Sequence, residues 1–177
     1  MMKVRGVFLA AVCAVSCLVV SGHAQAAQSI YLDIPGIPGE VVTPAAFVNQ
    51  ISVLSISNGG SRPCGAGGGV LSMSDVNIMK TADKASVKLS VALRDHTVIP
   101  TMTIRFVRSD GQVYQTYVLN NAVVESLQDS GSGGGDDRNT ESVAFGFAQM
   151  VLTYTFFDGA GKAGATETMT FTSASCP

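Results

Sequence analysis

The chain has 177 residues, of which 46% are hydrophobic and 14% charged, with a net charge of −2 and a mean hydropathy of +0.32. This composition excludes intrinsic disorder, and no Gly-x-y period or heptad run allows collagen or a coiled coil. The acidic balance excludes a nucleic-acid binder, which needs a basic face against phosphates, and the length suits one domain with its own core.

The N-terminal segment carries Lys3 and Arg5, an apolar run over residues 6–20, and the small-residue site Ala24-Gln25-Ala26. Basic flank, apolar core and A-x-A in that order read as a secretory signal peptide, residues 1–26, cleaved between Ala26 and Ala27. A retained anchor would need about 18 uncharged apolar residues, and the small-residue site directly after the run favours cleavage instead. A lipoprotein cut at Cys17 competes weakly, because it would leave a short apolar core. Cleavage leaves residues 27–177 as a single domain and removes two basic residues, so the mature chain is more acidic. No later run is long enough to span a bilayer; 150–157 is apolar but short. The expected location is periplasmic or secreted, with no membrane attachment once the signal is gone.

Cys13 and Cys17 leave with the signal, and Cys64 and Cys176 remain. An even pair in an oxidising compartment reads as one disulfide. It would close a loop on the order of 100 residues, for which chain entropy allows about 4 to 5 kcal/mol. Two free thiols or intermolecular bridges are the alternatives.

Beyond the signal the period is two. Residues 30–34 alternate and stop at Pro35-Gly36 and Pro38-Gly39, and 51–56 form the next strand candidate, ended by Asn58-Gly59-Gly60. Residues 70–79 alternate loosely. Residues 101–108 alternate well up to Asp110-Gly111, a hairpin signal whose partner is 113–124. Segments 142–152 and 166–172 complete the set, rich in the β-branched and aromatic residues that suit a half-buried pleat. Residues 85–94 break the pattern: Val87, Val91 and Arg94 share one side of a helix, Leu89 and Leu93 lie four apart, and Asp83 precedes them as a cap. Seven or eight strands and one helix predict a mostly-β closed or sandwiched domain.

Catalytic constellations fail. Only His96 survives cleavage, so a multi-histidine metal site within one chain is excluded, and no serine sits in a nucleophile elbow. The bland reading of His96 is a helix-end residue. Residues 64–70 lack the Gly-Lys-Ser/Thr ending of a phosphate loop and read as a surface loop. Residues 131–138 resemble a calcium-binding nonapeptide, but such sites need stacked repeats and only one copy is present. No catalytic, cofactor or metal residue is assigned, and paired carboxylates carry no motif.

In series these landmarks resemble the haemolysin-coregulated protein (Hcp) family, the tube subunit of type VI secretion. Residues 30–40, Ile-Tyr-Leu-Asp-Ile-Pro-Gly-Ile-Pro-Gly-Glu, are similar to its first strand and I-x-G-x-x-G-E turn, and Asp83-Lys84-Ala85-Ser86 to its D-K-A-S helix start. Residues 51–56, the Gly65–Gly69 loop, 125–147 and 148–154 follow in the family's order. The resemblance implies a β-barrel of two packed antiparallel sheets with one short flanking helix, hexameric rings stacked into a tube, and effector or spike partners. That role is structural rather than enzymatic. A cleavable signal sets this chain apart from tube subunits assembled in the cytoplasm. The other readings are a secreted β-sandwich binding module with no secretion-system role, and a small secreted enzyme.

Overall fold

The computed structural model describes residues 28–64, 69–134 and 138–172. Ten strands and one helix follow in order: β1 (Ser29–Asp33), β2 (Ile51–Val53), β3 (Ser55–Ser57), β4 (Gly60–Ser61), β5 (Ser72–Met73), β6 (Val76–Thr81), α1 (Ala85–Arg94), β7 (Ile99–Val107), β8 (Val113–Ser130), β9 (Thr140–Phe157) and β10 (Ala163–Thr172). The expected mostly-β barrel with one flanking helix is present.

Its walls belong to one antiparallel sheet of order β2-β1-β7-β8-β9-β6-β3, with β10 added beside β9 and β4-β5 forming a separate ribbon. Closure follows from a single bent strand. In 51–57, Ile51 and Val53 are buried, then Leu54 turns outward. The Leu54 N–H still donates to the Met79 carbonyl at 2.7 Å, so β2 pairs with β1 and β3 with β6. The order thus begins and ends on one stretch of chain, which joins the two ends of the wall, while β10 lies outside that ring.

Strand alternation fills the interior. Val76, Ile78, Met102, Ile104, Leu119, Val143, Phe145 and Met150 all face one core, joined by Leu32 and Ile51. Helix α1 adds Ala85, Leu89 and Ala92 to it, while Val87 and Val91 face outward. The helix packs across β8. It ends where His96 turns left-handed (φ 47°), the Thr97 N–H donating to the Ala92 carbonyl at 2.9 Å. Such a residue beyond the last helical turn satisfies carbonyls the helix leaves open, which agrees with the helix-end reading of His96.

Several strands differ from the sequence expectation. The loose alternation over 70–79 is two strands, broken at Ser74-Asp75, where Ser74 bonds back to Gly59. Strands β8 and β9 each run 18 residues, past the apolar segments that announced them. The predicted Asp110-Gly111 turn joins β7 to β8 with Gly111 at φ +84°.

Candidate functional site

Strand β6 alternates in and out, and its phase puts Lys80 among core positions, with no solvent exposure. A buried ammonium is tolerated only when its donors are matched. Its three are used: Lys80 Nζ lies 2.8 Å from Asp83 Oδ1, 2.5 Å from Glu141 Oε2 and 3.0 Å from Ser86 Oγ. Glu141 is the direct cross-strand partner of Lys80 on β9 and is itself buried. Ser86 donates to Glu141 Oε2 at 2.8 Å and accepts the Asp83 N–H at 3.0 Å, while Asp83 Oδ1 accepts the Ala85 N–H at 2.9 Å. Asp83 therefore caps the helix, as its position predicted, and also anchors the lysine.

The helix start has a second anchor from far away in sequence. Gly39 packs its backbone against Gln50, leaving no space for a Cβ, and its N–H donates to the Asn49 carbonyl at 2.7 Å. This pins the turn so that Glu40 reaches α1. Glu40 Oε1 accepts the Lys84 N–H at 3.0 Å and Oε2 accepts from Arg138 Nη1 at 2.7 Å. The Arg138 bond first, then the Lys84 amide, hold the Glu40 carboxyl below the usual carboxylate range. The Gly-Glu turn and the Asp-Lys-Ala-Ser segment are thus one bonded unit. An open cleft of about 350 Å³ beside it is lined by Tyr31, Glu40, Thr81, Asp83 and Arg138.

A different surface leaves the barrel on β9 and β10. The row of β9 side chains that begins in the core at Met150 continues through Leu152 to Tyr154 and Phe156, which are 38% and 45% exposed. Their neighbours on β10 extend it: Phe171 opposes Met150, and Met169, 57% exposed, opposes Leu152. The other face of the hairpin carries paired threonine hydroxyls, Thr153–Thr168 at 3.4 Å and Thr155–Thr166 at 3.3 Å. Aromatic rings run from core to rim, Phe106–Tyr117 (5.0 Å), Phe106–Tyr114 (6.1 Å), Tyr114–Tyr154 (6.1 Å) and Tyr154–Phe156 (5.2 Å). Loss of solvent around their hydroxyls raises both Tyr114 and Tyr117 above the ordinary phenol range. The tip is fastened to the β7–β8 turn: Arg108 lies over the Phe157 ring at 4.5 Å and Gln112 Nε2 donates to the Gly161 carbonyl at 3.1 Å. Among the described residues, β10 pairs with β9 alone, so its outer edge is open.

Of the residues singled out from sequence, Cys64 is exposed in the β4–β5 loop. Cys176, Ala26 and Ala27 lie outside the described residues, as do parts of the two glycine-rich loops. Among the described residues no three His, Cys, Asp or Glu side chains are grouped to hold a metal. Sequence reasoning passed over Lys80 and Glu141. Their signal was phase: each sits in step with buried apolar residues, Lys80 with Val76 and Ile78, Glu141 with Val143 and Phe145.

The fold is shared with solved structures. A type six secretion system protein has a TM-score of 0.78 at 28% identity, covering 82% of this chain and 96% of that one. Hcp1 from Salmonella typhimurium gives 0.70 at 25%, covering 82% and 95%. Secreted protein Hcp3 from Pseudomonas aeruginosa gives 0.63 at 20%, covering 84% and 100%, a likeness of fold alone. A search of curated protein sequences gave no match. The closed barrel, its cross-capped helix and this likeness define the class as a structural barrel of bacterial secretion systems. The model of the type VI secretion system effector Hcp matches residues 31–154. The chain belongs to the Hcp tube and effector family.

Proposed function

We propose that residues 27–177 form an exported Hcp barrel that works by assembling with copies of itself, as a ring-forming structural subunit and not as an enzyme. The observation that carries this reading is the β9–β10 hairpin, whose apolar row prolongs the core face into solvent beside an open strand edge. A monomer gains nothing from exposing such a row; a neighbouring subunit would cover it. A head-to-tail contact of this kind closes into a ring when its rotation permits, and the resemblance to Hcp gives six members. Effector or spike proteins are the expected further partners.

The signal over residues 1–26 supports a periplasmic or secreted location, with cleavage between Ala26 and Ala27 and a Cys64–Cys176 disulfide formed after export. Among the described residues no helix is long and apolar enough to cross a membrane. That same signal favours a second reading, a secreted binding module on the same barrel without a secretion-system role.

Native mass spectrometry of the exported, oxidised protein tests these readings together. A hexamer whose chain begins at residue 27 is expected. A protein that stays monomeric at every concentration overturns the ring and leaves the binding module.

A further inference from the structure

Access to sulfur divides the methionines. Met102 and Met150 are sealed in the core, and Met73 packs against it. Met79 and Met169 reach solvent, 44% and 57% exposed. Thioether oxidation follows access, so among the described residues these are the two methionines that a soluble oxidant meets first. Their surroundings are opposite in kind. Met79 of β6 has Ser55 and Ser142 as its cross-strand partners, so it stands among hydroxyls. Met169 stands in the middle of the hairpin's apolar row. Its cross-strand partner is Leu152, and the pairs on either side are Phe171 with Met150 and Glu167 with Tyr154.

One oxidant acts on both sulfurs with different results. With hydrogen peroxide, a sulfur lone pair takes one peroxide oxygen, the O–O bond breaks and the other oxygen leaves as water. The flexible apolar side chain becomes a polar, chiral sulfoxide. At Met79 the new oxygen stays in water beside the serines. At Met169 any contact that covers the row must bury it. Of the row's neighbouring side chains, Tyr154 alone ends in a proton donor, and Glu167 brings a carboxylate, which only accepts. The threonine hydroxyls are paired on the other face of the hairpin. An acceptor buried without a donor opposes the burial.

We propose that Met169 is an oxidation site that controls assembly: peroxide converts it to the sulfoxide in the free protomer, and the sulfoxide prevents a second copy from covering the β9–β10 face. This control rests on the ring reading, in which that face is the contact between copies. Assembly in turn shields the sulfur, so oxidation acts before the ring forms and not after it. Sulfoxide reductases restore the thioether, which returns the protomer to the pool that assembles.

Sedimentation velocity of the mature protein before and after hydrogen peroxide, with peptide mass spectrometry of each sulfur, tests the switch. Untreated protein is expected to assemble. One oxygen added at Met169 should raise the concentration of half-assembly by about tenfold or more, the scale of one unmatched buried polar group. Met169→Leu keeps an apolar side chain without the sulfur and should assemble before and after treatment. Met79→Leu should lose assembly on treatment as the parent does. Unchanged assembly of protein oxidised at Met169 overturns the switch. So does an equal loss in Met169→Leu, which would place the effect at Met79 or at the exposed Cys64. Untreated protein that stays monomeric removes the ring reading, and the switch with it.

Discussion

Lys80 and Glu141 face each other across β6 and β9 with their charged ends 2.5 Å apart inside the barrel. The pair sits where an aliphatic pair would pack, and Asp83 and Ser86 complete its hydrogen bonding. Lys80→Ala leaves two buried carboxylates without their cation. Losing one partner of a buried pair costs about 3–5 kcal/mol, and urea denaturation should show a loss of that size. The double variant Lys80→Met/Glu141→Met should recover part of it, since two matched apolar groups leave fewer buried charges. A double variant as weak as Lys80→Ala would mean that the ion pair itself, and not the stranded charge, sets the stability.

Glu40 acts from outside the core, and its effect should depend on pH. Its folded pKa is depressed, so its contribution is present above the unfolded carboxylate pKa and is lost as pH falls through the folded value. Glu40→Gln should therefore melt below the parent near neutral pH. The two curves should converge in acid below the usual carboxylate range, which thermal scans from neutral to strongly acidic buffer would reveal.

Gly39 places Glu40 by lying flat on the Gln50 backbone. Gly39→Ala must push that turn away, and overpacking of this kind costs about 1–3 kcal/mol. Arg138 and Lys84 would lose their Glu40 partner in the same step. The combined variant Gly39→Ala/Glu40→Gln should then be little worse than Gly39→Ala alone, as a double-mutant cycle measures.

Phe156→Lys and Met169→Lys alter the hairpin face and leave the barrel interior untouched. Each should abolish assembly in sedimentation velocity while the protomer keeps its melting temperature within about 2 °C, as surface changes outside the core do. Thr168→Lys, on the threonine face, should leave assembly intact if the apolar face alone makes the contact.

Much of the architecture was legible because alternation and turn chemistry agree over 101–124: apolar residues point inward up to Asp110-Gly111, and the partner strand resumes the phase. The bend at Leu54 had a trace as well, since Val53 and Leu54 are adjacent apolar residues where strict alternation allows one. The full lengths of β8 and β9 were not legible. Residues 126–130 are mostly exposed and polar, and only their pairing with 140–144 makes them strand. The cluster of Lys80, Asp83, Ser86 and Glu141 was hidden for a related reason. Asp83 announces a cap by local spacing, but the Lys80–Glu141 pair it supports depends on two strands that meet only in the fold. Glu40 and Arg138 are farther apart still, and no local pattern links them.

The bent strand 51–57 also sets an order of events in time. Its first half needs β1, and β1 in turn needs β7; its second half needs β6, which is held by β9. The barrel therefore cannot shut until residues near 145 have joined those near 76, and closure over such separations is slow. A chain emerging from the ribosome thus stays open through most of its synthesis. In the exported form proposed above, that delay would keep the chain threadable for a translocation pore.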